Sequence, residues 1–367
     1  MKKSAWLTIT VIVVLIVIAF VAKNKNTGQV KIGVITALTG SSGVSTYGVP
    51  LKSGIDLALK EIDPKGTKYQ LVYEDYALDT KQALPAYIKL KSEGIKIFIV
   101  DGTPAIGVVV PEIRKDGFLS FNTSSFTSAY KDNNPLTCRM ALTSDNYGPV
   151  YADLLINKMH VNKVVALMPN FEAGVSLFDF FKKSFEALGG TILMEELYSK
   201  DATDFRTNIE KLKSYSKAQA IFTVNYFNSA NTMFGQMKTL GLNLPIVTDD
   251  WTATLPNDKS LLNGAYFIGY TFSLSDPDSQ KGQDFFNLYQ QTYSTRPLIN
   301  AVQSYDMMHI LDKAINSVGT EPVKISDYLV SQMQPYDGVG GTISFNSDCE
   351  AQRDVHIGRI ENGQIVK

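Results

Sequence analysis

The sequence predicts an α/β protein built from parallel sheets in two domains. Three observations carry that prediction. The chain has 367 residues, too long for one ordinary core and well sized for two. From Val30 onward, short apolar runs alternate with amphipathic stretches. Repeated strand–helix units of this kind imply a parallel sheet covered on both faces. Around residues 142–149 (LTSDNYGP) the series breaks and a second one begins, so the two halves match in element order.

In the first series, residues 30–35 (VKIGVI) read as a strand. Leu51, Ile55, Ala58, Leu59 and Ile62 follow at helical spacing, and Pro64-Lys65-Gly66 ends that helix. Strands are expected at 71–73, 97–100 and 119–122, and helices at 80–93 and 105–116. Pro85 must kink its helix or lie in the first turns. In the second series a helix is expected at 150–159 and a strand at 163–168. Leu177, Phe178, Phe181, Phe185 and Leu188 form one helical stripe, closed by Gly189-Gly190 and read as ordinary core. Strands at 192–197, 220–224, 246–248 and 265–270 alternate with helices at 205–214 and 231–240. Two further helices, 283–293 and 301–317, precede a Gly-rich tail of short strands at 338–367.

The N-terminus carries a separate signal. Lys2 and Lys3 precede an uncharged run from Ala5 to Ala22. Its length falls between a secretory core of ~7–15 residues and a spanning helix of ~20. Ala19 lies inside the run, Ala22 has Phe20 three residues before the cut, and no Cys follows. An uncleaved membrane anchor is therefore preferred to a cleaved signal peptide, and a lipoprotein signal is excluded. On either reading the rest of the chain is exported.

Composition narrows the function. Lys+Arg is 35 and Asp+Glu is 36, which offers no basic face for nucleic acid. A small molecule or a protein is the expected partner. The two cysteines, Cys138 and Cys349, form no Cys-x-x-Cys motif. One disulfide and two small buried residues are both compatible with them.

The loop at 36–48 is Gly/Ser-rich but matches neither a dinucleotide nor a phosphate-loop motif. His160, His309 and His356 are widely separated and sit in no metal or nucleophile pattern. No cofactor, metal or catalytic activity is expected. The strand ends instead carry small hydroxyl residues: Thr103 in DGTPAIG, then Ser124 and Ser125 in FNTSSFT. With the 36–48 loop they make three neighbouring loops suited to a carboxylate. Capping of the next helices is the competing role for them.

Several segments together resemble the type I periplasmic solute-binding proteins of the leucine/isoleucine/valine-binding class. They are KIGVITALTGSSGVSTYGVPLKSGIDLALKEID, LVYEDYALDTKQAL, KDGFLSFNTSS, NFEAGVSLFDFFKKSFEALGGTI, TMFGQMKTLGL, YSTRPLINAVQSYDMMHILDKAI and GTISFN. The resemblance implies two Rossmann-like lobes joined by three crossings, near 142–147, 270–274 and 337–341. The domains would be 1–29 as anchor or signal with linker, 30–143 plus 274–336 as the first lobe, and 144–273 plus 337–367 as the second. It implies a receptor that closes on an amino acid or similar small polar molecule and delivers it to an ABC permease. A membrane-anchored ligand sensor is the alternative.

By position, the resemblance assigns Thr103, Ser124 and Phe126 to a ligand carboxylate, with Ser125 beside them. It assigns Tyr47 as an aromatic cover, and Tyr226 and Asp250 to an amino group. Asp250 has a second reading as a helix N-cap. Ala173-Gly174 departs from the family's Tyr-Gly, with Phe171 available to fill the gap.

Overall fold

The structure is a computed structural model, and it describes residues 28–40, 47–123, 135–225, 229–254, 256, 258–269 and 279–366. Among the described residues no helix is long and apolar enough to cross a membrane. The apolar run at 5–22 lies outside them.

The first sheet has strand order β2-β1-β3-β4-β5. These strands are β1 (Val30–Thr36), β2 (Tyr69–Asp75), β3 (Ile97–Val100), β4 (Leu119–Asn122) and β5 (Thr137–Arg139). All its pairings are parallel. Helices α1 (Gly48–Ile62), α2 (Thr80–Ser92) and α3 (Thr103–Lys115) make the crossovers. β3 and β4 are buried at every position, as central parallel strands covered on both faces require.

The second sheet has order β15-β14-β10-β9-β8-β6-β7. Its parallel part is β6 (Lys163–Pro169), β7 (Thr191–Tyr198), β8 (Ala220–Thr223), β9 (Ile246–Asp249) and β10 (Tyr266–Gly269). Two C-terminal strands, β14 (His356–Glu361) and β15 (Gln364–Val366), add antiparallel at one edge. Helix α4 (Ser144–Asp153) begins six residues before the expected start at 150. The reason is local: the Asn146 side chain accepts the Thr143 N–H at 3.3 Å, which starts a helix inside the segment read as a break. A π turn, Leu154–Lys158, continues it.

Helix α5 (Glu172–Ala187) lays Phe178, Phe181 and Phe185 on this sheet, all at most 1% exposed. Phe181 stacks on Phe222 of β8 with ring centroids 4.0 Å apart. Leu188, expected in the same stripe, is 48% exposed. It is the C-cap residue, so the chain has already turned off the helix face. Helices α6 (Arg206–Lys213), α7 (Ala230–Thr239) and α8 (Asp250–Thr254) complete the crossovers.

Three later helices, α9 (Gln280–Tyr293), α10 (Ile299–Val318) and α11 (Pro322–Ser331), return to the first sheet. Their Phe285, Met308, Leu311 and Leu329 share one core cluster with Ile32, Leu51 and Phe121. Gly54 on α1 permits the closest approach to α10. A Cβ there would lie 2.1 Å from the Ala301 carbonyl oxygen.

A small antiparallel sheet follows, β11 (Tyr336–Gly338), β12 (Gly341–Phe345) and β13 (Ala351–Gln352). Its Val339, Ile343, Phe345 and Ala351 lie in the same cluster as the first sheet. The chain therefore joins the second sheet at β14, later than the expected crossing at 337–341. The small sheet is held to the first by a Cys138–Cys349 disulfide and a backbone bond from Arg139 N–H to the Cys349 carbonyl at 2.8 Å. An ion pair between Arg139 and Glu350 at 3.0 Å adds to these, both side chains being under a tenth exposed. The disulfide settles the alternatives that the sequence left for the two cysteines.

Candidate functional site

Ligands of open α/β sheets bind outside the carboxyl ends of the strands. In the first sheet that edge is organised by Asp101, which follows β3 and is 1% exposed. Its carboxylate accepts hydrogen bonds from Thr36 Oγ1 at 3.1 Å and Thr123 Oγ1 at 3.2 Å. Its own N–H donates to the Ile35 carbonyl at 3.0 Å. One side chain thus ties together the ends of three adjacent strands, β1, β3 and β4.

Gly102 comes next, with φ +88°, a left-handed backbone that favours glycine. A Cβ at this position would lie 2.1 Å from the Tyr76 hydroxyl. Thr103 then opens α3 and is buried.

Tyr47 stands at the N-cap of α1. Its helix packs with the first sheet, yet its own ring belongs to the second sheet's cluster. The ring meets Trp251 at a centroid distance of 5.0 Å, tilted by 41°. Burial pushes the Tyr47 hydroxyl well above the usual phenol range, and the charges of Asp101 and Asp249 push it further. One carboxylate from each sheet therefore acts on the same ring.

The second sheet presents β9 and the short helix α8 to this point. Asp249 Oδ1 accepts the Thr252 N–H at 2.8 Å. Thr252 Oγ1 in turn accepts the Asn225 N–H at 2.8 Å, which joins the ends of β8 and β9. Asp250 is the first residue of α8, and its Oδ1 accepts the Trp251 N–H at 2.8 Å. Capping of α8 is thus the work of Asp249. Asp250 is 2% exposed and packs against Gly269 at the end of β10.

Two further hydroxyls feel the charges of these carboxylates. Tyr76 and Tyr151 are fully buried, and neither hydroxyl has a hydrogen-bond partner among the described residues. Burial keeps both protonated, reinforced by Asp101 and Tyr47 at Tyr76 and by Asp249 and Asp250 at Tyr151.

Of the residues expected from sequence, Tyr47, Thr103 and Asp250 all lie at this junction of strand ends. Ser124, Ser125, Phe126 and Tyr226 lie outside the described residues. Ala173 is buried in the second core, and Phe171 is the N-cap of α5. His309 packs against Tyr305 with ring centroids 4.6 Å apart, tilted by 54°, and lies 3.4 Å from Glu61, as a packed helix residue does. Asp101, Tyr76 and Tyr151 were not expected from the sequence. The available signal was an acid directly following a fully apolar strand. Among the described residues no group of His, Cys, Asp and Glu could hold a metal ion.

Comparison with known proteins gives a consistent answer. A family model described as "Periplasmic binding protein" matches residues 29–364. Leu/Ile/Val-binding protein homolog 2 of Brucella abortus is 24% identical over 331 residues, covering 87% of this chain and 86% of its own. Among solved structures, the branched-chain amino acid substrate-binding protein LivJ of Streptococcus pneumoniae, in complex with isoleucine, superposes with a TM-score of 0.79 at 22% identity. The alignment covers 92% of this chain and 97% of LivJ. An ABC-transporter solute-binding protein of R. palustris in complex with benzoate gives 0.81 at 18% identity, covering 92% and 95%.

Proposed function

Because the chain belongs to the periplasmic binding protein family, we propose that it is an extracytoplasmic receptor for an amino acid or similar small polar molecule. It delivers that ligand to an ABC permease by closing two lobes. The carrying observation is the Tyr47–Trp251 contact at 5.0 Å. It brings the carboxyl ends of both sheets to one point, where each supplies only part of a binding surface. A ligand that needs both parts binds the closed state better and shifts the population toward it. The relatives named above, which include Leu/Ile/Val-binding proteins, support amino acids as the first class to test.

In this reading Tyr47 covers the ligand. Thr103, Ser124, Ser125 and Phe126 line the first lobe, and Tyr226 and Asp250 line the second. The first lobe consists of residues 30–143 with the returning helices and the small sheet. The second consists of the rest up to the C-terminus. The run at 5–22 anchors the receptor to the cell membrane, close to its permease. Cell fractionation tests the anchor: recovery in membranes, extractable only by detergent, is expected, and a soluble shortened protein rejects it.

The receptor function is tested by a thermal-shift screen of the full-length chain in detergent against amino acids, amides, small carboxylates and nucleosides. A ligand at about 100 times its Kd adds roughly 2.7 kcal/mol of stability. One chemical class is expected to raise the midpoint, with the shift lost in Asp250→Ala. Absence of any shift across the screen overturns the receptor reading.

A further inference from the structure

Resting on that receptor reading, we infer that the cleft selects ligands with net positive charge, the cation lying between Asp101 of the first lobe and Asp249–Asp250 of the second against the Tyr47–Trp251 pair. Asp101 follows β3, Asp249 ends β9 and Asp250 comes directly after it, and all are at most 2% exposed. They come from both sheets: Asp101 and Asp249 both act on Tyr47, and Asp250 accepts the N–H of Trp251, whose ring meets Tyr47. Aromatic faces attract cations through the ring quadrupole, with Trp the strongest and Tyr close behind.

The hydroxyls are an independent observation. Tyr76 Oη lies against Gly102, next to Asp101. Tyr151 feels the charges of Asp249 and Asp250. Both hydroxyls are buried and without a hydrogen-bond partner among the described residues, a state that protein interiors rarely tolerate. An ammonium group has three donors and no acceptor. It can therefore donate to a carboxylate and to a phenol oxygen at once, so the same group serves both on each side.

Asp101 also changes what the first lobe can hold. It sits two residues before Thr103, the position that the family resemblance assigns to a ligand carboxylate. A carboxylate bound there would face a buried acid, and like charges at short range repel strongly in a low-dielectric site. The charge of the first lobe thus favours an amine over an acid. A basic amino acid or a diamine fits this arrangement better than a neutral amino acid, and a simple carboxylate fits it worst.

The test uses matched probes on similar carbon skeletons with the full-length chain in detergent: cadaverine, lysine, norleucine and hexanoate. Cadaverine or lysine is expected to raise the thermal midpoint at concentrations at least about tenfold below norleucine, with hexanoate inert. Asp101→Asn should weaken the cation at least about tenfold and narrow its advantage over norleucine. Each variant's midpoint without probe is recorded. If Asp101→Asn fails to fold, the probe order in the unaltered chain still decides. Norleucine or hexanoate matching the cations overturns the inference and leaves the receptor reading standing. No shift with any of the four overturns the inference, and the receptor reading is then judged on its own broader screen.

Discussion

The two lobes share a sheet plan but are held together by different means. The second lobe is filled by rings. Phe178, Phe181, Phe185, Phe205, Phe222 and Phe234 are nearly or fully buried around β6, β8 and their helices. The first lobe gathers segments far apart in the chain and joins them with specific polar and covalent links. These are the Cys138–Cys349 disulfide, the Arg139–Glu350 ion pair and the hydrogen bonds of Asp306. A core made of nearby sequence can rely on non-directional burial. A core assembled from distant pieces has more chain entropy to overcome, and cross-links act on that cost. The comparison predicts that the first lobe responds to redox state and pH, while the second responds mainly to ring volume.

The largest effect should come from the disulfide. It spans 211 residues of sequence, and closing a loop longer than 100 residues stabilises by about 4–5 kcal/mol in the chain-entropy account. Reduction, or Cys349→Ser, should lower stability by that order in urea titrations. Hydrogen exchange should accelerate first in β5 and in β11 to β13. Equal loss of protection in β6 and β8 would break the comparison. Next, Phe181→Ala should cost about 3–4 kcal/mol, with accelerated exchange confined to the second sheet and no dependence on reductant. A reductant-sensitive loss would show that the lobes do not hold separately.

The smallest effect is a pH dependence. Asp306 on α10 is completely buried and accepts the N–H groups of Val339 at 2.9 Å and Gly340 at 3.1 Å. Burial pushes its carboxyl up to about 6, against the pull of Arg353 and the two N–H groups. The native state therefore holds this proton more tightly than the unfolded chain does, where the value is about 3.9. Its contribution to stability is present in full below pH ~4 and is lost as pH rises through about 6, amounting to roughly 2–3 kcal/mol. In Asp306→Asn the slope of unfolding free energy between pH 4 and 6 should flatten by that amount. An unchanged slope would mean that another group carries the titration.

These differences explain which parts of the molecule could be read from its sequence. Long periodic segments such as α1, α5 and α10 follow their apolar spacing, and the central strands follow their uninterrupted runs. β5 was passed over because a three-residue strand, Thr-Cys-Arg, carries no periodicity. α11 also went unread, because Pro322 and a polar face obscure its short repeat. At the site, Tyr47 and Asp250 were reachable through family resemblance. Asp101 was not, because an acid before a glycine after a strand also reads as an ordinary turn. Its role depends on Thr36, Thr123 and Tyr47, which only the folded sheet brings beside it.

The late arrival of β12 and β13 has a consequence for synthesis. A ribosome makes the chain from the N-terminus, so β1 to β5 emerge first. The cysteine that staples β5 lies 211 residues further on, at position 349. The older lobe must therefore wait, with one edge unfinished, until the chain has been made past residue 349. The younger lobe's parallel strands are meanwhile complete in one continuous stretch, and it lacks only its two closing strands. The domain begun first is among the last to be sealed, which leaves the nascent chain open during the interval in which an exported protein must still be threaded through a membrane.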